Sequence, residues 1–269
     1  MAALCVVVLN RKGGVGKTST CFHLAGTFAK SGRRVLLIDT DPQANLTEGL
    51  LGAKDAEGID PNRTVAALFG DAFIPDPLGL IVPTPVPGVH LLPGSEAMED
   101  VNEPRPSGNP RQTAIRDFVA ETRDAYDVIL IDCPPSMQLS SWAALVAGDG
   151  VLVPVQVEDF GGQGLKKINR ALTQVRTEAN PSLILLGYLV TMYNKSLAIH
   201  AAYAEQLRAS YGNLVFETSM PLSTDYKVAV TSGTPIAMLK PRSAAAKAMS
   251  ALADELLARA AAAPRKEVA

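Results

Sequence analysis

Cysteine is scarce in this chain: Cys5, Cys21 and Cys133 are the only three among 269 residues. The number is odd, no CxxC occurs, and no Cys/His pair stands at metal-ligand spacing. This argues against a disulfide framework and against a zinc site. Cys5 and Cys21 fall in apolar stretches and read as small core residues. Charge of one sign is lacking too. Lys and Arg total 25 against 27 Asp and Glu, a formal net charge of −2, with an isoelectric point near 6.0. The balance makes no electrostatic case for nucleic acid, although a local basic face stays possible within it. No apolar run approaches the roughly 20 residues that span a bilayer. No basic segment precedes the first apolar run, so no secretory leader is expected and a cytoplasmic protein is. What is present is a globular composition, 47% hydrophobic, in a length that one α/β domain fills.

The chain opens on LCVVVL, a short run rich in β-branched residues that suits a strand buried on both faces. NRKGGVGK follows, then a helical pattern that closes at Gly32, then the strand Val35 to Asp39. Strand, helix and strand in this order make a βαβ unit with a right-handed crossover. Further strands are expected at Tyr126 to Asp132, Val151 to Val157 and Leu183 to Met192, with a short one at Leu214 to Glu217. Helices are expected at about 161–177, 197–210 and 241–261. The alternation predicts a mostly parallel, doubly wound α/β sheet with helices on both faces. Residues 53–113 differ, holding ten of the 19 prolines. There a short helix at Val65 to Phe69 and a hairpin at about 80–92 are expected, as an elaboration on the sheet. The whole reads as a single domain over 1–262, with 263–269 a frayed tail.

The decisive segment is Lys12-Gly13-Gly14-Val15-Gly16-Lys17-Thr18-Ser19. Glycines let the backbone fold tightly enough for several N–H groups to face one anion. The helix that begins near Lys17 adds its positive end. Lys17 supplies a cation for the β- and γ-phosphates, and the Thr18 hydroxyl can ligate Mg²⁺. The general pattern GxxxxGK[ST] is broken at one place, because Arg11 stands where the first glycine belongs. Carboxylates follow at strand ends, where parallel sheets bind their ligands. Asp39 and Asp41 lie in DTDPQAN after VLLI. Asp132 lies between VILI and Cys133-Pro134-Pro135-Ser136 and fits a Walker B aspartate that holds Mg²⁺. A cradle, cations, a metal site and a group to orient water are the parts phosphoryl transfer needs.

With Arg11 before it, KGGVGKT resembles the deviant Walker A motif of the ParA/MinD family of ATPases. DxDPQ and DCPPS resemble that family's two switch regions. The resemblance runs from about residue 4 to 257 and implies several roles. Lys12 is the signature lysine, acting across an ATP-sandwich homodimer on the partner's nucleotide. Asp41 positions or activates the attacking water, and Asp39 and Asp41 support the metal site. Asn194 and Pro221 stand at turns where relatives contact adenine.

Branches of the family are separated by what the chain lacks. A membrane-binding member needs a terminal amphipathic helix with large apolar residues, and none follows Leu257. Iron–sulfur relatives need paired cysteines. Tyrosine kinases of this fold carry a tyrosine-rich tail. Longer partition proteins carry a helix-turn-helix before the first strand, and here the strand comes first. The short ParA/Soj-like branch remains. It implies a nucleoid-associated ATPase that segregates DNA, binds DNA non-specifically as the ATP dimer, and is released when a ParB-like activator triggers hydrolysis. Candidate DNA contacts are Lys166, Lys167, Arg170, Arg176, Lys195, Arg208, Lys240 and Arg242. Lys166 and Arg170 are four apart and share a helix face. Met220-Pro221-Leu222 departs from the family, which often carries an arginine after this proline. Two alternatives stay open: a positioning ATPase for another cargo, and a small-molecule ligase or kinase built on the same loop.

Overall fold

Apolar runs with no polar face cannot sit at a surface, and here they form the middle of one sheet. The computed structural model describes residues 2–70, 76–102, 110–157 and 163–263. Residues 71–75 and 103–109 of the proline-rich stretch, and the expected tail from 264 on, lie outside them. The first strands are β1 (Leu4–Val8), β2 (Val35–Asp39), β3 (Val82–Pro83) and β4 (Val89–Leu92). After them come β5 (Val128–Asp132), β6 (Gly150–Gln156) and β7 (Ile184–Thr191). Their order across the sheet is β3-β4-β2-β5-β1-β6-β7. Every pairing is parallel except β3 with β4. The expected hairpin forms, and its second strand joins the sheet beside β2.

Helices cover both faces, as a mostly parallel sheet requires. On one side α5 (Ala114–Thr122), α6 (Leu139–Ala147) and α7 (Gln163–Glu178) bury Phe118, Leu145 and Ile168 against β1, β5 and β6. α8 (Ala198–Tyr211) adds Leu207 to this layer. On the other side α1 (Lys17–Lys30) lies against the sheet and under α9 (Thr224–Thr231), α10 (Ile236–Leu239) and α11 (Ala244–Ala262). Short helices α2 (Asn45–Leu51), α3 (Ala53–Glu57) and α4 (Met98–Asn102) fill the connections. The expected helix at Val65–Phe69 is a 3₁₀ turn. Among the described residues no helix is long and apolar enough to cross a membrane.

One expected strand is absent. Residues 214–217 run beside β7 but pair with it only through an isolated bridge, Tyr188 to Val215. The amides of Glu217 and Thr218 are taken by a side chain of α11, so the ladder cannot continue there.

α1 is buried nearly all round, and it carries a histidine inward. His23 is fully buried, its Nδ1 accepts from the Ile236 amide at 3.2 Å, and its ring meets those of Phe22 and Tyr226. Burial drops its pKa from 6.5 to about 4. Between these values the unfolded chain binds a proton that the folded chain does not, so stability rises with pH across this window. From pH 7 to pH 5 this residue is expected to cost about 2 kcal/mol. Urea midpoints at the two pH values, compared between the wild type and His23→Leu, check this. An equal pH dependence in both proteins would sink it.

Candidate functional site

The C-terminal ends of β1, β2 and β5 meet at one edge. Register sets Val8 against Asp132, and Asp132 against Asp39. The loop after β1 therefore faces both carboxylates. Gly14 and Gly16 adopt φ of 76° and 91°, a region other residues enter only with strain. Gly16 is the residue at which α1 starts, so the first-turn amides of a 14-residue helix point into the loop's hollow. Arg11, Lys12, Gly13 and Gly14 are exposed, while Val15 and Lys17 are buried.

Contacts distant in sequence pin this loop. Asn10 donates to the Pro154 carbonyl at 2.6 Å and accepts from the Lys12 amide at 3.1 Å. Thr191 at the end of β7 donates to the Val15 carbonyl at 2.9 Å. Lys17 folds back so that Nζ donates to the Lys12 carbonyl at 2.9 Å. Burial lowers the Lys17 pKa, opposed by the nearby Asp132 and Asp41.

The three aspartates differ sharply. Asp132 is fully buried and neither carboxylate oxygen has a well-formed hydrogen bond, although the Thr18 hydroxyl stands near it. Burial pushes its pKa well up and Asp39 adds to this, while the Thr18 hydroxyl and Lys17 offset part of it. Two orphaned oxygens in the interior fit a cation that is itself part of the working site. Among the described residues no three His, Cys, Asp or Glu side chains group tightly enough to cage a metal. Mg²⁺ suits this arrangement, because it takes few protein ligands and completes its shell with phosphate oxygens and water. Asp132 and the Thr18 hydroxyl would hold it, and the bound ion would neutralise charge on the phosphates.

Asp39 has its oxygens engaged. One accepts from the amide and hydroxyl of Thr47 at 2.9 and 2.8 Å, the other from the Asp41 amide at 3.2 Å. Thr47 in turn accepts from the Gly94 amide at 2.8 Å. Asp39 thus fixes the start of the loop and α2 to the sheet. Burial raises its pKa. Asp41 is buried at the loop's mouth, and among the described residues its side chain holds only the Gln43 amide, at 3.0 Å. The backbone then passes through Ala44 in the left-handed region, with φ of 47°.

A cleft of about 760 Å³ leads from Gly16, Thr18 and Ser19 between α2 and α9. Pro221 lines it, together with Met192 and Met220 of the two turns expected near the base, and with Tyr226, which sequence reasoning missed. Met192 has a φ of 53°, a strained position that no sequence pattern announces. Asn194 is not among the lining residues. Its Oδ1 accepts from the Ser196 amide at 3.0 Å, and its own amide donates to His200. Thr47 and Gly94 were missed as well, since nothing local marks them.

The basic candidates do not gather in one place. Lys166, Lys167 and Arg170 are exposed on α7, and Lys195 is exposed in the loop after β7. Lys240 and Arg242 lie between α10 and α11, on the opposite face of the sheet, and Lys240 is paired with Asp225 at 2.6 Å. Arg176 and Arg208 are half-buried and donate to the carbonyls of Leu183 and Phe216.

A parallel sheet with a glycine-built phosphate cradle after its first strand, a buried lysine and a strand-end aspartate defines a P-loop nucleotide hydrolase. A family model described as an AAA domain matches residues 3–185. The chromosome-partitioning ATPase Soj of Thermus thermophilus is 39% identical over 94% of this chain and 95% of its own length. The chromosome partitioning protein ParA of Caulobacter vibrioides is 33% identical over 94% of each. A Mycobacterium smegmatis structure, described as cobyrinic acid a,c-diamide synthase with ADP and magnesium, superposes with a TM-score of 0.79. It is 28% identical and the match covers 97% of this chain and 96% of that one. The chain belongs to the ParA/MinD family of P-loop ATPases, on its ParA/Soj-like side. As such it is an ATPase, with ATP and Mg²⁺ as its cofactors.

Proposed function

We propose that this ATPase is a DNA-partitioning switch. ATP closes a homodimer, the dimer rests on DNA without regard to sequence, and a ParB-like partner triggers hydrolysis and release. The observation that carries the reading is the split phosphate loop. Lys17 is buried, while Arg11 to Gly14 form an exposed rim. A Cβ built on Gly13 meets nothing within 4 Å. The rim is open to close approach by a second copy, and Lys12 on it is suited to act there in trans. The names of the partition relatives support the cargo. The exposed Lys166, Lys167 and Arg170 support a DNA face on α7, and Leu222 stands where relatives often place an arginine.

Light scattering on the Asp41→Ala variant is the direct test. Mass should stay monomeric with ADP and double with ATP and Mg²⁺. A monomer in both states would move the reading to a small-molecule enzyme, which the name of the Mycobacterium relative also suggests. The doubled species should be retained on random DNA and lost as salt rises, by about 0.9 log units of affinity per log unit of salt for each phosphate contact.

Gly13→Val separates folding from assembly. The open space around Gly13 accepts the side chain in the lone subunit, so melting temperature and ADP binding should hold. ATP-dependent doubling of mass should disappear. Normal doubling would contradict close packing across this rim.

A further inference from the structure

Residues 213–222 belong to no strand, yet they deliver Met220, Pro221 and Leu222 to the wall of the cleft. The segment touches β7 at two levels. Phe216 donates to the Tyr188 carbonyl at 2.9 Å and Met220 to that of Val190 at 2.8 Å. Between these levels the amides of Glu217 and Thr218 turn away from the sheet. Both donate to one carboxylate, Glu255 on α11, at 2.9 Å each.

One helical turn later stands Arg259. Its guanidinium donates to the carbonyls of Leu186, Asn213 and Val215 at 3.1, 2.7 and 2.8 Å. It also pairs with Glu255 at 2.8 Å and lies 4.1 Å from the centre of the Phe216 ring. Gly187 allows this crowding, because with φ of 149° it has no Cβ to strike the Leu214 carbonyl. The two charged side chains are 20% and 18% exposed. Two amides and two carbonyls of irregular chain, with one carbonyl of β7, therefore find their partners in one ion pair. Exposed ion pairs contribute little. This one replaces a missing β ladder with charge-assisted bonds.

We propose that Glu255 and Arg259 are positioning residues for nucleotide binding, clasping residues 213–218 so that the Met220–Leu222 turn forms the base-side wall of the cleft. The proposal rests on that cleft being the nucleotide's. The phosphate loop hangs on β1 and α1 and is pinned at Pro154 and Thr191, outside the clasped residues 213–218. Loosening the clasp thus weakens the grip on the nucleoside end and leaves the grip on phosphates intact.

Calorimetric titration of the full chain with Mg²⁺ and either ATP or inorganic tripolyphosphate tests this. Arg259→Ala should raise the Kd for ATP about tenfold and leave tripolyphosphate unchanged. Arg259→Lys keeps the charge but loses the planar fork, and should fall between. Glu255→Gln should show the same split between the two ligands in a milder form, which keeps the test intact if Arg259→Ala does not fold. ATP affinity equal to the wild type overturns the clasp, and so does an equal loss for both ligands, the mark of general destabilisation. Lys17→Ala serves as the reference and should lose both ligands. If it binds both as the wild type does, the site assignment has failed and the clasp with it.

Discussion

Replacing Lys17 by alanine should lower ATP affinity by about 100-fold, the scale of losing charge-assisted hydrogen bonds in a site away from water. Lys17 is the buried cation of the loop, and burial already lowers its pKa. Its ammonium also offsets the buried charge of Asp132. Without it the phosphates lose a partner, and ionised Asp132 loses compensation inside the fold. Calorimetric titration with ATP and Mg²⁺ reads the loss directly. ATP affinity equal to the wild type in Lys17→Ala would remove the loop from its assigned role.

Asp41→Ala should reduce ATP turnover by about 10²- to 10⁴-fold, the range of a positioned general base. Binding should survive, so the ATP-bound dimer accumulates. The structure gives a reason to expect an intact fold, because among the described residues the Asp41 carboxylate holds only the Gln43 amide. Asp39→Ala is the contrasting case. It leaves the amide and hydroxyl of Thr47 and the amide of Asp41 without their acceptor. Its loss should appear in the melting temperature before it appears in the chemistry. Phosphate release by Asp41→Ala at the wild-type rate would sink the assignment of Asp41.

Much of this was legible in the sequence because the signals are local. Glycines at 14 and 16 supply positive φ, and an apolar run ending in aspartate places that carboxylate at a strand tip. Lys17 and Thr18 begin the helix that follows. Each needs only its immediate neighbours to take its form. The expected strand at 214–217 was a local reading too, and it failed because Glu255 and Arg259 act on that segment from α11. The division of labour between Asp39 and Asp41 was equally out of reach. Two carboxylates two residues apart look alike until Thr47 and Gly94 pack on one of them.

The sequence by itself determined the sheet, the phosphate cradle and the family, since these follow from hydrophobic period, glycine dihedrals and residues adjacent along the chain. Only the tertiary structure decided which aspartate anchors and which stays open, which side chains wall the cleft, and which basic residues share a face. Those outcomes depend on contacts such as Thr191 on Val15 and Arg259 on Leu186, between residues 176 and 73 positions apart. No pattern within one segment specifies where another segment will supply its missing donor or acceptor.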